Sequence, residues 1–424
     1  MYQNVNVKSQ LKLSLPIGFE NLVNVLMSLV DALVVANLGA TELAALGAMI
    51  VIISLLQMAG QTINVSNNAL VSKALGEGNT EKVKLITGNA VILTAISSLV
   101  LVILTFLISP LLPGLFKVSR ISLTYLYIRL IAFFQNSIVT VLSGHQRTIG
   151  NQKNILHIRI WAVIFNLLLN ILVINLKFGI AGVAAVTATI DTILAIYLVI
   201  YSRKTMLISY NKKYFYSLSR LFKWNFVERV ISKVDNFFFN LIVANMGTNE
   251  YAVHVILLQI ASVYEAFMSG FGDGITINVG VALGKSIKEF MQNVKTVAKK
   301  LINIFSIIIP ILVLIVSFII MHISLKQPEL KIIFIKVVPL FVLGSYITMS
   351  ATYYFSILRG YRDFKFLALR NLFSSILKIV SAYILSFTSL GIIGVWIGYI
   401  IYNLSQKYQS KFRYFKLKLN EWNQ

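Results

Sequence analysis

Stretches of about 20 apolar residues return along the whole of this chain with only short polar breaks, and each is long enough to cross a bilayer as a helix. The run VILTAISSLVLVILTFLIS, residues 91–109, is apolar on every face. A membrane barrel is excluded, because barrel strands are about 10 residues of alternating polarity. Twelve such runs are legible, over residues 10–37, 43–72, 85–109, 121–143, 154–174, 180–201, 219–245, 251–282, 296–321, 332–358, 366–387 and 391–408. The composition agrees: 57% of the 424 residues are hydrophobic, 12% are charged and the mean hydropathy is +0.80. This reads as an all-α integral membrane protein of twelve transmembrane helices. The first run is too long for a signal peptide and has no small-residue cleavage site, so it is expected to be a retained helix. There is no cysteine, which leaves neither disulfides nor a thiol catalyst.

A net charge of +23 suggests nucleic acid, but its placement points elsewhere. Most of the 38 Lys and Arg lie in the even-numbered connections and the two termini, the positive-inside pattern that puts both termini in the cytoplasm. The connection RKTMLISYNKKYFYSLSRLFK, residues 203–223, holds six basic residues and no acid, and reads as a linker facing anionic lipid.

The chain also repeats itself. Shifted by 208 residues, VANLG (35–39) falls on VANMG (243–247), Glu42 on Glu250, Glu20 on Glu228 and Ala74-Leu75-Gly76 on Ala282-Leu283-Gly284. Shifted by 212, GIAGV (179–183) falls on GIIGV (391–395), Arg147 on Arg359 and Lys153 on Lys365. The expected organisation is a six-helix lobe over 1–202, a basic cytoplasmic linker over 203–218 and a second six-helix lobe with a basic tail over 219–424. Six is even, so the halves are parallel repeats, a transporter plan in which two lobes flank a central cavity.

Polar residues inside the apolar runs narrow the reading. An acid at a helix centre costs roughly 2.5–3.5 kcal/mol on insertion scales, so it usually faces a bundle interior or a wet cavity. Glu20, Asn24, Ser28 and Asp31 share one face of the first run; Gln57, Gln61, Asn64 and Asn68 share one face of the second. Glu228, Ser232, Asp235 and Asn236 stripe the seventh, and Glu265, Ser269, Asp273 and Thr276 the eighth. Single Ser and Asn residues are read as packing seams. A substrate cavity is expected at Gln57, Gln61, Asn64, Asp235, Glu265 and Asp273. Asp31 lies eight residues before Gly39, about 12 Å inside the helix end, whereas Glu20 is about 28 Å away, near the cytoplasmic surface.

The order and spacing of LVDALVVANLGATELAALG (29–47), VSKALGEGN (71–79), AVHVILLQI (252–260) and VGVALG (279–284) resemble those of the multidrug and toxic compound extrusion (MATE) family, within the broader multidrug/oligosaccharidyl-lipid/polysaccharide exporter superfamily. The resemblance implies a cation-coupled antiporter that exports organic cations, drugs or amphipathic molecules by rocker-switch alternating access, in a bacterial cytoplasmic membrane. It also implies an ion or proton site in the N-terminal half: Asp31, with Asn166 and Asn170 in FNLLLNI, and Thr187 in GIAGVAAVT. Read on their own, Asn166 and Asn170 serve equally well as packing amides; one turn apart, they share a face. One carboxylate with amide and hydroxyl oxygens suits Na⁺, and the same carboxylate, desolvated, takes a proton. Asp191, one turn beyond Thr187 on the same face, either joins this network or sits near the lipid surface.

Other motifs carry less. GVALGKS (280–286) lacks the spacing of a phosphate loop and reads as a helix terminus. The four histidines have no metal-ligand spacing, and His254 is expected to be a hydrogen-bonded interior residue. No cofactor, enzyme activity, nucleic-acid partner or metal beyond the Na⁺ site is expected; the partners are small-molecule cargo and membrane lipid, and the protein is expected to be a monomer. The alternative is a flippase for a lipid-linked oligosaccharide or polysaccharide precursor, which would call for a more cationic cavity.

Overall fold

The computed structural model describes residues 5–36, 38–116, 118–323 and 325–422. Among them are twelve long helices: α1 (Val7–Ala36), α2 (Ala40–Gly76), α3 (Thr80–Ile108), α4 (Ile121–Thr148), α5 (Gln152–Asn175), α6 (Gly179–Ser202), α7 (Lys212–Ala244), α8 (Thr248–Lys285), α9 (Lys288–Ile323), α10 (Pro328–Gly360), α11 (Phe364–Ser386) and α12 (Ile392–Trp422). Two short helical turns, Ser109–Leu111 and Leu112–Phe116, follow α3. The described residues contain no strand, as the unbroken apolar runs require.

Ten of the twelve are apolar enough by composition to cross a membrane; α7 and α12 are not. In α7 the reason is Glu228, Arg229, Lys233 and Asp235, all within two turns. Elsewhere the outward faces are apolar, as in α9, where Ile304, Ile307, Ile308 and Ile311 are exposed, the arrangement lipid contact calls for. The helix α7 starts seven residues before the apolar run suggests. The Asn211 side-chain oxygen accepts from the Lys213 and Tyr214 backbone N–H groups and caps the new start.

The duplication is written into the backbone. Gly39 and Gly247 open α2 and α8 at φ 135° and 152°, and Gly78 and Ser286 follow those helices at φ 70° and 55°. Gly150 and Arg362, and Gly179 and Gly391, repeat the same left-handed turns at the second offset. Ser286 therefore ends a helix, as read from GVALGKS.

The helices gather into two compact units, Phe19–Phe226, and Met1–Gly18 together with Val227–Gln424. The repeat boundary lies in the linker, but the packing boundaries lie inside α1 and α7, at breakpoints equivalent under the 208-residue shift. In the first unit Leu218 of α7 packs with Ile63 and Val141, and Asn225 Nδ2 donates to Ser66 Oγ at 3.2 Å. The linker docks on α3 as well: Leu207 N donates to Lys84 O, and the Asn89 side chain bridges Ser209 O and Asn211 N.

In the second unit the start of α1 is held by α8 and α9. Asn278 Nδ2 donates to Gln10 Oε1, and Asn293 Nδ2 donates to Val5 O at 2.7 Å. At Gly270 the two backbones meet: a Cβ there would lie 2.2 Å from Gly18 N and 2.8 Å from Ile17 C. Neither obstacle is a side chain that can swing away, so Gly270→Ala forces the two helices apart. The expected outcome is a loss of about 1–3 kcal/mol, the usual range for overpacking. It is read as a lower midpoint of thermal unfolding in detergent, with Gly272→Ala as the milder control, since its nearest neighbour is the Ser356 side chain at 3.1 Å.

Candidate functional site

Three helices of the first unit, α1, α5 and α6, bring Asp31, Asn166, Asn170 and Thr187 into one cluster. Asn166 and Asn170 are fully buried, Thr187 is 5% exposed and Asp31 7%. Their convergence follows from spacing: Asn166 and Asn170 are one helical turn apart on α5, and Thr187 sits two turns into α6, after the Gly179 turn has reversed the chain. Asp31 Oδ1 accepts from Asn170 Nδ2 at 2.9 Å, and Asp31 Oδ2 accepts from Thr187 Oγ1 at 3.3 Å. Asn170 Nδ2 also donates to Asn166 Oδ1 at 3.1 Å, and Asn166 Nδ2 to Thr187 Oγ1 at 3.5 Å.

One oxygen of this cluster, Asn170 Oδ1, has no hydrogen-bond partner among the described residues. A buried carbonyl oxygen left unpaired costs about 1–3 kcal/mol, and a cation bound here would satisfy it. The Asp31 carboxylate with the Asn166, Asn170 and Thr187 oxygens forms a small, hard, singly charged oxygen set. It suits Na⁺, or a proton carried on Asp31 itself.

Asp191 lies on α6 one turn beyond Thr187 but turns to other partners. Arg129 Nη1 of α4 donates to Asp191 Oδ2 at 3.3 Å, and Asn136 Nδ2 donates to both of its oxygens at 3.1 Å. No hydrogen bond ties Asp191 to Asp31 among the described residues. The link between them is the Arg129 charge, which acts on both. Gln57 Nε2 donates to Asn136 Oδ1 at 3.4 Å, so it borders this network.

Each unit also holds an acid between two arginines. Glu20 lies 3.4 Å from Arg147 and 3.7 Å from Arg159; Glu228 lies 3.8 Å from both Arg359 and Arg370. In the second unit Asp235 is 2% exposed and paired with Lys378 at 2.9 Å. Of the remaining residues expected to line a cavity, Gln61 and Glu265 are exposed, Asp273 is half-buried and Asn64 is buried against Gly144. His254 is fully buried, with Nε2 against Asn240 Oδ1 at 2.9 Å, the interior role expected of it. No group of three or more His, Cys, Asp or Glu that could hold a metal ion is present among the described residues.

Sequence reasoning missed Arg129, Asn136 and Arg159. The signal for Arg129 was there, a lone cation inside the apolar run LTYLYIRLIAFF, since such charges are seldom tolerated unpaired. Nothing in the sequence said that its partner would be Asp191.

The MatE family model matches residues 16–172 and 226–384. A protein of Photorhabdus laumondii subsp. laumondii described as "Probable multidrug resistance protein NorM" is 24% identical over 419 residues, covering 93% of this chain and 92% of its own. Among solved structures, the Vibrio cholerae MATE transporter VcmN in the bent form aligns with a TM-score of 0.88 at 16% identity, covering 97% of this chain and 96% of that one. A MATE in complex with MaL6 aligns at 0.88 and 18%, covering 98% of both chains. A MOP superfamily transporter from Pyrococcus furiosus, titled for a binding pocket of reverse polarity, aligns at 0.88 and 17%, again covering 98% of both. At these identities the structural likeness is one of fold.

Proposed function

Since the chain belongs to the MatE family, a family of transporters and not of enzymes, we propose that it is a cation-coupled antiporter that exports organic cations, drugs or amphipathic small molecules by alternating access. The observation that carries this reading is the closed hydrogen-bonded set of Asp31, Asn166, Asn170 and Thr187, with its one orphaned oxygen. An incoming Na⁺ or proton neutralises Asp31 and redraws the bonds joining α1, α5 and α6. Occupied and empty sites thereby favour different conformations of the first unit. Ion and cargo drive each other only to the extent that they bind the two states with different affinity.

Asp191, held by Arg129 and Asn136, is the neighbouring member of the coupling network. In the first unit Gln57 and Gln61 on the polar face of α2 are available to cargo, and in the second unit Glu265 and Asp273 on α8, whose acids suit cations. Asp235 is buried against Lys378 in the second unit. The relative described as a multidrug resistance protein supports the cargo class. The basic ends of the helices support a cytoplasmic position for both termini in a bacterial cytoplasmic membrane.

Everted vesicles test the reading. Ethidium uptake is measured under Na⁺ and proton gradients imposed separately, and one of the two is expected to drive accumulation that collapses with its gradient. Uptake indifferent to both gradients, or movement of a lipid-linked oligosaccharide with no movement of dye, overturns it in favour of an uncoupled carrier or a flippase.

A further inference from the structure

The repeat fixes which residue of the second unit stands where each ion-site residue stands in the first. The 208-residue shift carries Asp31 to Phe239; the 212-residue shift carries Asn166 to Lys378, Asn170 to Ala382, Thr187 to Tyr399, Asp191 to Asn403 and Arg129 to Phe341. The left-handed turns that recur at both offsets show that the backbone keeps the same register. So does one contact: Thr348 Oγ1 donates to Asn403 Oδ1 at 3.1 Å, where the first unit pairs Asn136 with Asp191.

Three of those six positions are aromatic. Phe239, Phe341 and Tyr399 surround Trp396, with ring centroids 6.1, 5.7 and 5.3 Å from it. Into this cluster reaches one charge. Lys378 Nζ lies 4.2 Å from the centre of the Phe239 ring, 2.9 Å from Asp235 Oδ2 and 3.5 Å from Asn236 Oδ1. Its side chain is 4% exposed. Counting buried charges at this depth, the first unit has two carboxylates, Asp31 and Asp191, and one cation, Arg129. The second has one carboxylate, Asp235, and one cation, Lys378. The first is one positive charge short; the second is balanced. Glu265, the other acid that acts on Lys378, is exposed on α8 and stands outside this count of buried charges.

We propose that the Lys378 ammonium is a tethered cation standing where the first unit takes an exchangeable one, so that the second unit binds no coupling ion and the protein takes up one ion per cycle. An ammonium can fill the place because it brings the same charge and, like a bound ion, sits on a carboxylate and an amide oxygen. Its contact with the Phe239 ring face adds a cation–π interaction in a site with little water. Being covalently attached, it cannot be exchanged by any gradient. The inference rests on the reading of Asp31 as the coupling site.

Binding is measured on purified protein with ²²Na⁺ and, separately, by proton uptake with a pH-sensitive dye. One ion per chain is expected for wild type, none for Asp31→Asn, and one again for Asp31→Asn combined with Lys378→Asn, because Asp235 then needs a counter-ion. Lys378→Arg in the Asp31→Asn background, which keeps the tethered charge, is expected to bind none. If Asp31→Asn binds none and the double variant, folded and monodisperse, also binds none, the inference fails while the Asp31 reading stands. If Asp31→Asn still binds an ion that Glu265→Gln or Asp235→Asn removes, the second unit has its own exchangeable site and the inference fails. If Asp31→Asn keeps its ion through both of those changes and Lys378→Asn adds another, the Asp31 reading fails and the tethered cation stands. Should Lys378→Asn prove too unstable to isolate, wild-type stoichiometry from the reversal potential in proteoliposomes decides: one ion supports the proposal and two overturn it.

Discussion

Asp31→Asn is expected to reduce gradient-driven dye accumulation in everted vesicles to the level of vesicles without the protein, while the variant still inserts and purifies as a folded chain. The substitution changes one atom of the cluster and removes its only negative charge. An asparagine can still accept from Asn170 Nδ2 or Thr187 Oγ1, so the hydrogen bonds at 2.9 and 3.3 Å have a substitute acceptor. It can neither carry a proton nor neutralise Na⁺. A loss of more than about 100-fold in cation affinity corresponds to roughly 2.7 kcal/mol, a modest figure for removing the sole charged ligand. Stability moves the other way, because a carboxylate removed from a site of low dielectric relieves a desolvation penalty. A thermal midpoint at or above that of wild type, with transport gone, is the expected pair of results. Transport that persists under either gradient would place the coupling group elsewhere.

The largest loss of stability is expected at the carboxylates held between arginines. Glu20→Gln leaves Arg147 and Arg159 facing each other without a counter-charge, and Glu228→Gln does the same to Arg359 and Arg370. Breaking a buried pair by removing one partner costs about 3–5 kcal/mol, far more than an exposed pair is worth. Glu228 also holds Asn371 through its backbone oxygen, a contact that the substitution keeps. The expected result is a sharp fall in the monodisperse fraction of a fluorescent fusion on size exclusion, similar for the two variants because the arrangement is duplicated. Pairing Glu228→Gln with Arg370→Gln should recover most of the loss; failure to do so would mean that the acid acts through more than its charge.

Much of this architecture was legible because a bilayer allows few solutions. Apolar runs of spanning length, the alternation of basic connections and the 208-residue echo of VANLG in VANMG are properties of the chain itself. The Asp31 cluster was legible in part: helical phase put Asn166 and Asn170 on one face, but only the family pattern joined α5 to α1. The pairing of Asp191 with Arg129, and of Asp235 with Lys378, was hidden because it is set by how far each helix turns against its neighbours. Hydropathy does not record rotation. For the same reason the arginines from other helices that enclose Glu20 and Glu228 could not be read from the sequence.

The exchange of helix segments sets a timetable for synthesis. Residues 5–18 are made some 250 residues before their packing partners, Gly270, Asn278 and Asn293. At about 5–20 residues per second that interval is on the order of tens of seconds. The first unit meanwhile lacks the start of α7, with Leu218 and Asn225, until translation has passed the linker. Neither half can be finished before the other has begun, so a half-chain cut in the linker is a poor unit for expression, and the nascent protein spends its early life with one helix waiting for company.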